Sequence, residues 1–221
     1  MPYYDPRIVP AHGNPEATVF LINEAPGPRE AYYRIPSVGA QGGNIYCALR
    51  KAKVKWATDF PMFSWPRLIR ECYKSPDKKL EAFELRDKFL AIRATYIKCS
   101  NAFHLWPRSS PQVCDFVDPS RDDVLSASNL DRLRKEVPEK HRVLLICGEF
   151  AWLACHGTAL LEPAKHEGNP LSFEELQVVN CRLRSSFTNG WYMGHTQRWS
   201  LNSSRTSTIL TNVSQVAQWM L

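Results

Sequence analysis

Apolar positions in this chain gather into short unbroken runs that stop abruptly at glycine, proline or polar residues, the pattern of buried strands ended by turns. Thr18 to Asn23 (TVFLIN) is the first such run, and it breaks at Glu24-Ala25-Pro26-Gly27-Pro28, so Glu24 falls at the carboxyl end of a strand. The glycine-rich stretch Pro36 to Gly43 then opens into Asn44 to Arg50, whose apolar spacing predicts a loop feeding a helix. From Trp56 to Phe89 aromatic and basic residues mix without a clear period, except that Lys78 to Ile92 has helical spacing. Thr95 to Ser100 (TYIKCS) predicts a second strand, running into Asn101 and then a long loop as far as Pro119. An amphipathic helix is expected over Ser126 to Val137, the clearest buried strand over Arg142 to Gly148 (RVLLICG), and a helix over Glu149 to Cys155. Gln177 to Leu183 and Trp191 to Gly194 predict further strands, and Thr206 to Leu221 a closing helix. Alternating strands and helices predict an α/β chain with a largely parallel sheet covered on both faces. Ligands of such sheets bind beyond the carboxyl ends of the strands, where Glu24, Asn101 and His195 are expected.

Composition narrows this picture. At 221 residues and 44% hydrophobic, with no internal repeat or linker, residues 1–221 are expected to form a single domain with its own core. The formal net charge of +6 suits a polyanionic partner. No stretch approaches the roughly 20 apolar residues that cross a bilayer, and Met-Pro-Tyr-Tyr-Asp-Pro-Arg lacks the apolar core of a signal peptide, so a soluble, cytoplasmic protein without membrane contact is expected. Seven scattered cysteines without a C-x-x-C pair predict buried thiols, and neither disulfides nor a metal site. Arg50, Lys51, Lys53 and Lys55 make a basic stretch after the first helix, either a DNA-facing edge or a solvated helix end.

Asn23-Glu24-Ala25-Pro26-Gly27, followed by Pro36-Ser37-Val38-Gly39-Ala40-Gln41-Gly42-Gly43, resembles the first motif of the uracil-DNA glycosylase superfamily, nearest to the bacterial and archaeal branch that reads G-E-A-P-G and then P-F-V-G-x-A-G. Later landmarks keep the superfamily's order: a strand ending in Asn101 with Pro107 six residues on, an apolar strand ending in Gly148, and a strand ending in His195. The resemblance spans about residues 18 to 205. It implies a three-layer α/β/α domain around a central, mostly parallel four-stranded sheet, acting as a monomer on DNA.

By position, the resemblance makes Glu24 the carboxylate that aims water at the anomeric carbon or steadies positive charge on the sugar. It makes His195 the histidine that donates to the base O2 as the base leaves. Asn101 becomes the amide that reads the flipped base, able to meet a uracil or, turned over, a cytosine edge. Base contacts are further implied for Ala25, Ser37 and Gly39, and DNA contacts for Gly27, Gln41 and Gly42. On the residues alone each has a plainer alternative: a turn cap for Glu24, a satisfied structural histidine, an Asx turn for Asn101. In the loop after His195, Arg198, Trp199 or Leu201 would fill the stack a flipped base vacates, although Trp199 suits a core equally well. Ser203, Ser204 and Arg205 precede the closing helix, where they would hold a phosphate or merely cap it.

Three departures from the branch bear on the site and its substrate. Ser37 stands where the branch has a stacking aromatic, which implies a roomier pocket and a bulkier base, or stacking by Tyr32, Tyr33, Phe103 or Trp106 instead. The branch's iron–sulfur cysteines are missing, with Leu105 where a third ligand would be, so no cluster and no cofactor is expected. The usual H-P-S is here His195-Thr196-Gln197. The leading expectation is therefore a glycosylase excising a modified pyrimidine, such as the glucosylated 5-hydroxymethylcytosine of phage DNA, in antiviral defence. Ordinary uracil repair and a non-catalytic reader of modified DNA are the alternatives. A covalent DNA trap is disfavoured because the similar trapping branch carries a basic, histidine-containing insertion after the asparagine strand, where this chain has Pro107-Arg108-Ser109-Ser110-Pro111 without a histidine.

Overall fold

The computed structural model describes residues 1–58, 76–115, 117–137, 142–158, 173–183 and 187–194. Four parallel strands form the central sheet: β2 (Val19–Asn23), β3 (Ile97–Asn101), β5 (Val143–Ile146) and β6 (Asn189–Tyr192), in the spatial order β3-β2-β5-β6. Each is short, and β2 and β5, apolar but for Asn23, are buried along their whole length, as strands covered on both faces must be.

Residue parity divides the core. Val19, Leu21, Ile97, Cys99, Val143 and Leu145 face one layer, built from α2 (Ala40–Lys51), α3 (Lys55–Thr58) and α4 (Pro76–Tyr96). Phe20, Ile22, Leu144, Ile146 and Tyr192 face the other, built from α5 (Arg121–Leu125), α6 (Ala127–Glu136), α7 (Glu149–His156) and α8 (Phe173–Leu183). The result is a three-layer α/β/α arrangement. From β2 the chain crosses to one side of the sheet, to β3, and then returns past β2 to β5. The sheet therefore has its switch point between β2 and β5, where the two crossovers leave in opposite directions and open a crevice at the carboxyl ends.

The amino-terminal arm seals the β3 edge. β1 (Tyr3–Tyr4) pairs antiparallel with β4 (Pro107–Arg108), Val9 N–H donates to His104 O, and His12 exchanges both backbone bonds with Cys99. Gly13, at φ +135°, lies so close to Ile97 and Lys98 that a Cβ would strike their backbone. An exposed edge is thereby covered.

Several boundaries differ from the sequence expectation. Gln177 to Leu183 is helix, not strand: Leu176, Val179 and Leu183 are buried while Gln177 and Val178 are exposed, a helical period that the β-branched pair disguises. Thr95 and Tyr96 end α4 instead of opening β3. An unforeseen short helix, α5, follows the loop that ends near Pro119, capped by Ser120 accepting from Asp123 N–H, and another, α1 (Pro28–Tyr33), follows β2. Helix α2 begins at Ala40, four residues before the expected Asn44. Among the described residues no helix is long and apolar enough to cross a membrane. The expected closing helix Thr206 to Leu221 lies outside the described residues.

Candidate active site

The residues after β2 and β3 are stitched together at the ligand end of the sheet. Ala102 N–H donates to Asn23 O at 2.7 Å and Phe103 N–H to Glu24 O at 2.9 Å. Glu24 is 9% exposed, and its Oε1 accepts the Phe150 N–H at 3.3 Å at the start of α7. Burial drives the Glu24 carboxyl up to about 7; the backbone amides of Phe150 and Glu149 oppose the rise, and the charges of Asp118 and Glu149 add to it. Helix α7 can reach the carboxyl only because residue 148 is glycine: it adopts φ +102°, and a Cβ there would overlap the Glu24 carboxyl group. Glu24 from β2 thus meets the helix amino terminus that follows β5, at the switch point of the sheet.

Asn101 ends β3 and is 1% exposed, and among the described residues neither its Oδ1 nor its Nδ2 has a partner. A buried amide left open on both atoms is costly, about 1–3 kcal/mol for each unmade bond, and is expected where a ligand supplies the partners. Its main chain is held rigidly: Arg132 Nη2 donates to Asn101 O at 2.9 Å, Asn129 Nδ2 to Ala102 O at 2.7 Å, and Arg132 pairs with Glu136. Asn129, buried, and Arg132 and Glu136, half-buried, make a polar stripe on an otherwise amphipathic α6, which the sequence reading passed over. Their spacing of three and four residues was the only sign of it.

Ser37 is not where the sequence argument needs it. It is 0% exposed at φ +55°, its hydroxyl accepts from Asn23 Nδ2 at 2.8 Å, its N–H donates to Glu30, and its carbonyl accepts from Arg93 Nη1 at 2.9 Å. With its side chain enclosed in this way, it opens no face onto a pocket. Arg93 also donates to Pro36 O at 3.1 Å, so Glu30 and Arg93 clamp the glycine-rich loop from within. Burial raises Glu30 to about 7, with the Gly27 and Ser37 amides and the Arg93 charge pulling the other way.

The glycines serve this scaffold. Gly27 spends its N–H on Glu30 Oε2 at 2.8 Å, which takes that amide away from the expected DNA contact. Gly42 packs on the Ser37 carbonyl so closely that a Cβ would collide with it, and this lets α2 start under the loop. Gly39 is half-buried as the residue preceding α2, and Ala25 is buried beside the β2 end. Of the four aromatics considered for stacking, Phe103 packs on Tyr4 and Trp106 donates to Asp115 O, both buried. Tyr33 is half-buried under Arg86, leaving Tyr32 largely exposed at 70%. Cys99, Cys147 and Cys155 are buried free thiols and Cys114 is exposed. Among the described residues no three His, Cys, Asp or Glu side chains gather as a metal site. Arg50 turns onto the Thr58 carbonyl at 3.1 Å, closing α3, while Lys51, Lys53 and Lys55 are exposed.

His195, Arg198, Trp199, Leu201, Ser203, Ser204 and Arg205 lie outside the described residues, as does the side chain of Gln41. The described chain runs to Gly194, two residues past β6, with Met193 N–H on Ile146 O at 2.8 Å. No family model and no curated protein matches this chain.

Proposed function

We propose that this protein is a DNA glycosylase of the uracil-DNA glycosylase type, which takes up a flipped pyrimidine nucleotide and hydrolyses its N-glycosidic bond. The observation that carries the proposal is that, at the carboxyl ends of two adjacent strands, a buried carboxyl with its pKa raised to about 7 follows β2 and a buried amide with neither donor nor acceptor engaged among the described residues ends β3. A sugar losing its base develops positive charge at C1′, and a carboxylate beside it stabilises that charge and accepts a proton from the incoming water. The water oxygen bonds to C1′ while the C1′–N1 bond breaks. The electron pair leaves with the base, the water proton passes to Glu24, and an abasic site remains.

Asn101 would hold the departing base by its polar edge. The resemblance assigns the donor to the base O2 to His195. The net charge of +6 favours the polyanion on which such a nucleotide is carried. A modified pyrimidine, with glucosylated 5-hydroxymethylcytosine and a role in defence as its sharpest form, is kept within the proposal, but it no longer draws support from Ser37.

The test is a base-release assay on duplexes carrying uracil, 5-hydroxymethylcytosine or its glucosylated form, read by strand cleavage at abasic sites and by mass spectrometry of the freed base. Release of any of the three by the wild type, reduced at least about 100-fold in Glu24→Gln, is expected. Binding without release would leave a reader of modified DNA, and neither binding nor release would end the proposal.

A further inference from the structure

We infer that Asn23 is a second base-reading residue, whose fixed acceptor selects pyrimidines that carry an exocyclic amine at C4 over those that carry a carbonyl there. The inference rests on the glycosylase reading above and adds the substrate class to it. Asn23 and Asn101 are direct partners in the parallel β2–β3 register. Paired residues of a parallel ladder point to the same face, here the face of Leu21 and Cys99, two residues earlier on each strand. Both side chains are 1% exposed, at the ligand end of two strands that are otherwise mostly apolar.

Their polar atoms are unequally committed. Asn23 Nδ2 donates to Ser37 Oγ at 2.8 Å, and Ser37 is itself immobilised by Glu30 and Arg93. Among the described residues Asn23 Oδ1 is therefore left as a buried acceptor with no donor, next in register to an Asn101 amide with no partner there on either atom. A core asparagine pair that served packing alone would have closed these bonds within the protein.

The chemistry of the missing ligand follows from the count of donors. An exocyclic amine has two N–H groups, one for Asn101 Oδ1 and one for Asn23 Oδ1, while Asn101 Nδ2 donates to the ring nitrogen N3. A 4-oxo base would set its carbonyl oxygen against Asn23 Oδ1, two acceptors facing each other with no proton between them. Sites that hydrogen-bond a particular group reject analogues lacking it far more strongly than apolar pockets reject a missing methylene.

The experiment measures binding without requiring catalysis. Oligonucleotides carry 5-hydroxymethylcytosine or 5-hydroxymethyluracil on a 2′-fluoroarabino sugar, whose electron-withdrawing fluorine disfavours positive charge at C1′ and blocks release. Each base is placed opposite an abasic position, so that base pairing does not enter. The wild type is expected to bind the amine form at least about tenfold more tightly, and Asn23→Leu to bring that ratio near one. Asn23→Asp, which keeps an acceptor in place, should retain a preference for the amine. Ser37→Ala frees Asn23 to turn over and should weaken the ratio even if Asn23→Leu fails to fold. Equal binding of the two bases by the wild type, or a ratio unchanged in both Asn23→Leu and Ser37→Ala, overturns the inference. Release from ordinary sugars without such discrimination sinks the inference and spares the glycosylase, whereas discrimination without release does the reverse.

Discussion

Glu24 and Glu30 are both acids kept from water, yet their surroundings give them different work. Glu30 is wholly enclosed and accepts two backbone amides, which ties the start of α1 to the glycine-rich loop. Glu24 retains a sliver of exposure and rests against the amino terminus of a helix, as suits a group that exchanges a proton with a ligand. If Glu24 acts as a carboxylate, kcat/KM for base release rises with pH and levels off above about 7. A profile that falls through the same range would make it an acid instead.

The same shift carries a stability consequence. Its folded pKa of about 7 exceeds the ordinary 4.5, so between these values the folded chain holds a proton that the unfolded chain has lost. The stability contributed by protonated Glu24 is full below about 4.5 and is lost as pH rises to 7. Glu24→Gln is thus expected to raise the melting temperature at pH 8, by an amount on the order of 1–3 kcal/mol in stability, and to change it little at pH 4.5. Thermal melts of both proteins at the two pH values decide this, and an equal offset at both would mean that the carboxyl titrates normally.

At the level of elements, the site is a junction between a strand and a helix that belong to different crossovers. Gly148 makes the junction, and Gly148→Ala both strains a backbone at φ +102° and pushes the Glu24 carboxyl aside. Base release is expected to fall at least about 100-fold, with a stability loss of about 1–3 kcal/mol. Full activity in that variant would show that Glu24 does not need α7. Arg93→Met strips the loop carbonyls of Ser37 and Pro36 of their donors and leaves Glu30 without its nearby cation, a change expected to cost about 3–5 kcal/mol by denaturant titration.

The strands that hold Glu24 and Asn101 were legible in the sequence, because unbroken apolar runs ending at glycine, proline or a polar residue have few other uses. What escaped was tertiary. The partnership of Arg93 with residues 36 and 37 spans more than fifty positions, and no local period announces it. Ser37 was misjudged for the same reason, since a serine in a glycine-rich loop reads as open space until Asn23 is found on its hydroxyl. In α8 the valine pair at 178 and 179 favoured a strand, and only burial at 176, 179 and 183 reveals the helix.

Over the whole molecule, the sheet and its two helical layers position the carboxyl ends of the strands, while the amino-terminal arm fixes the loop beyond β3. Tyr4 donates to Asp123 at 2.5 Å, Asp5 pairs with Arg7 and, at 3.3 Å, with Arg108, and Asp5 N–H reaches Trp106 O. Deleting residues 1–14 bares the β3 edge and frees residues 102–108. Such a truncation is expected to self-associate and to lose base release, as measured by light scattering and the release assay. Monomeric behaviour with undiminished turnover would deny the arm any part in the site.

The arm also sets an order of events. Residues 3–12 are synthesised well before their partners, which lie between Cys99 and Arg108, so the whole segment between them must leave the ribosome before this seam can close. Contacts so distant in sequence close late in folding and are candidates to open first. Peeling of the arm would loosen the segment behind Asn101 while β2 and β5 stay intact. Hydrogen exchange should then find the amides of Val9 and His12 less protected than that of Cys147, with the segment behind Asn101 able to loosen without global unfolding.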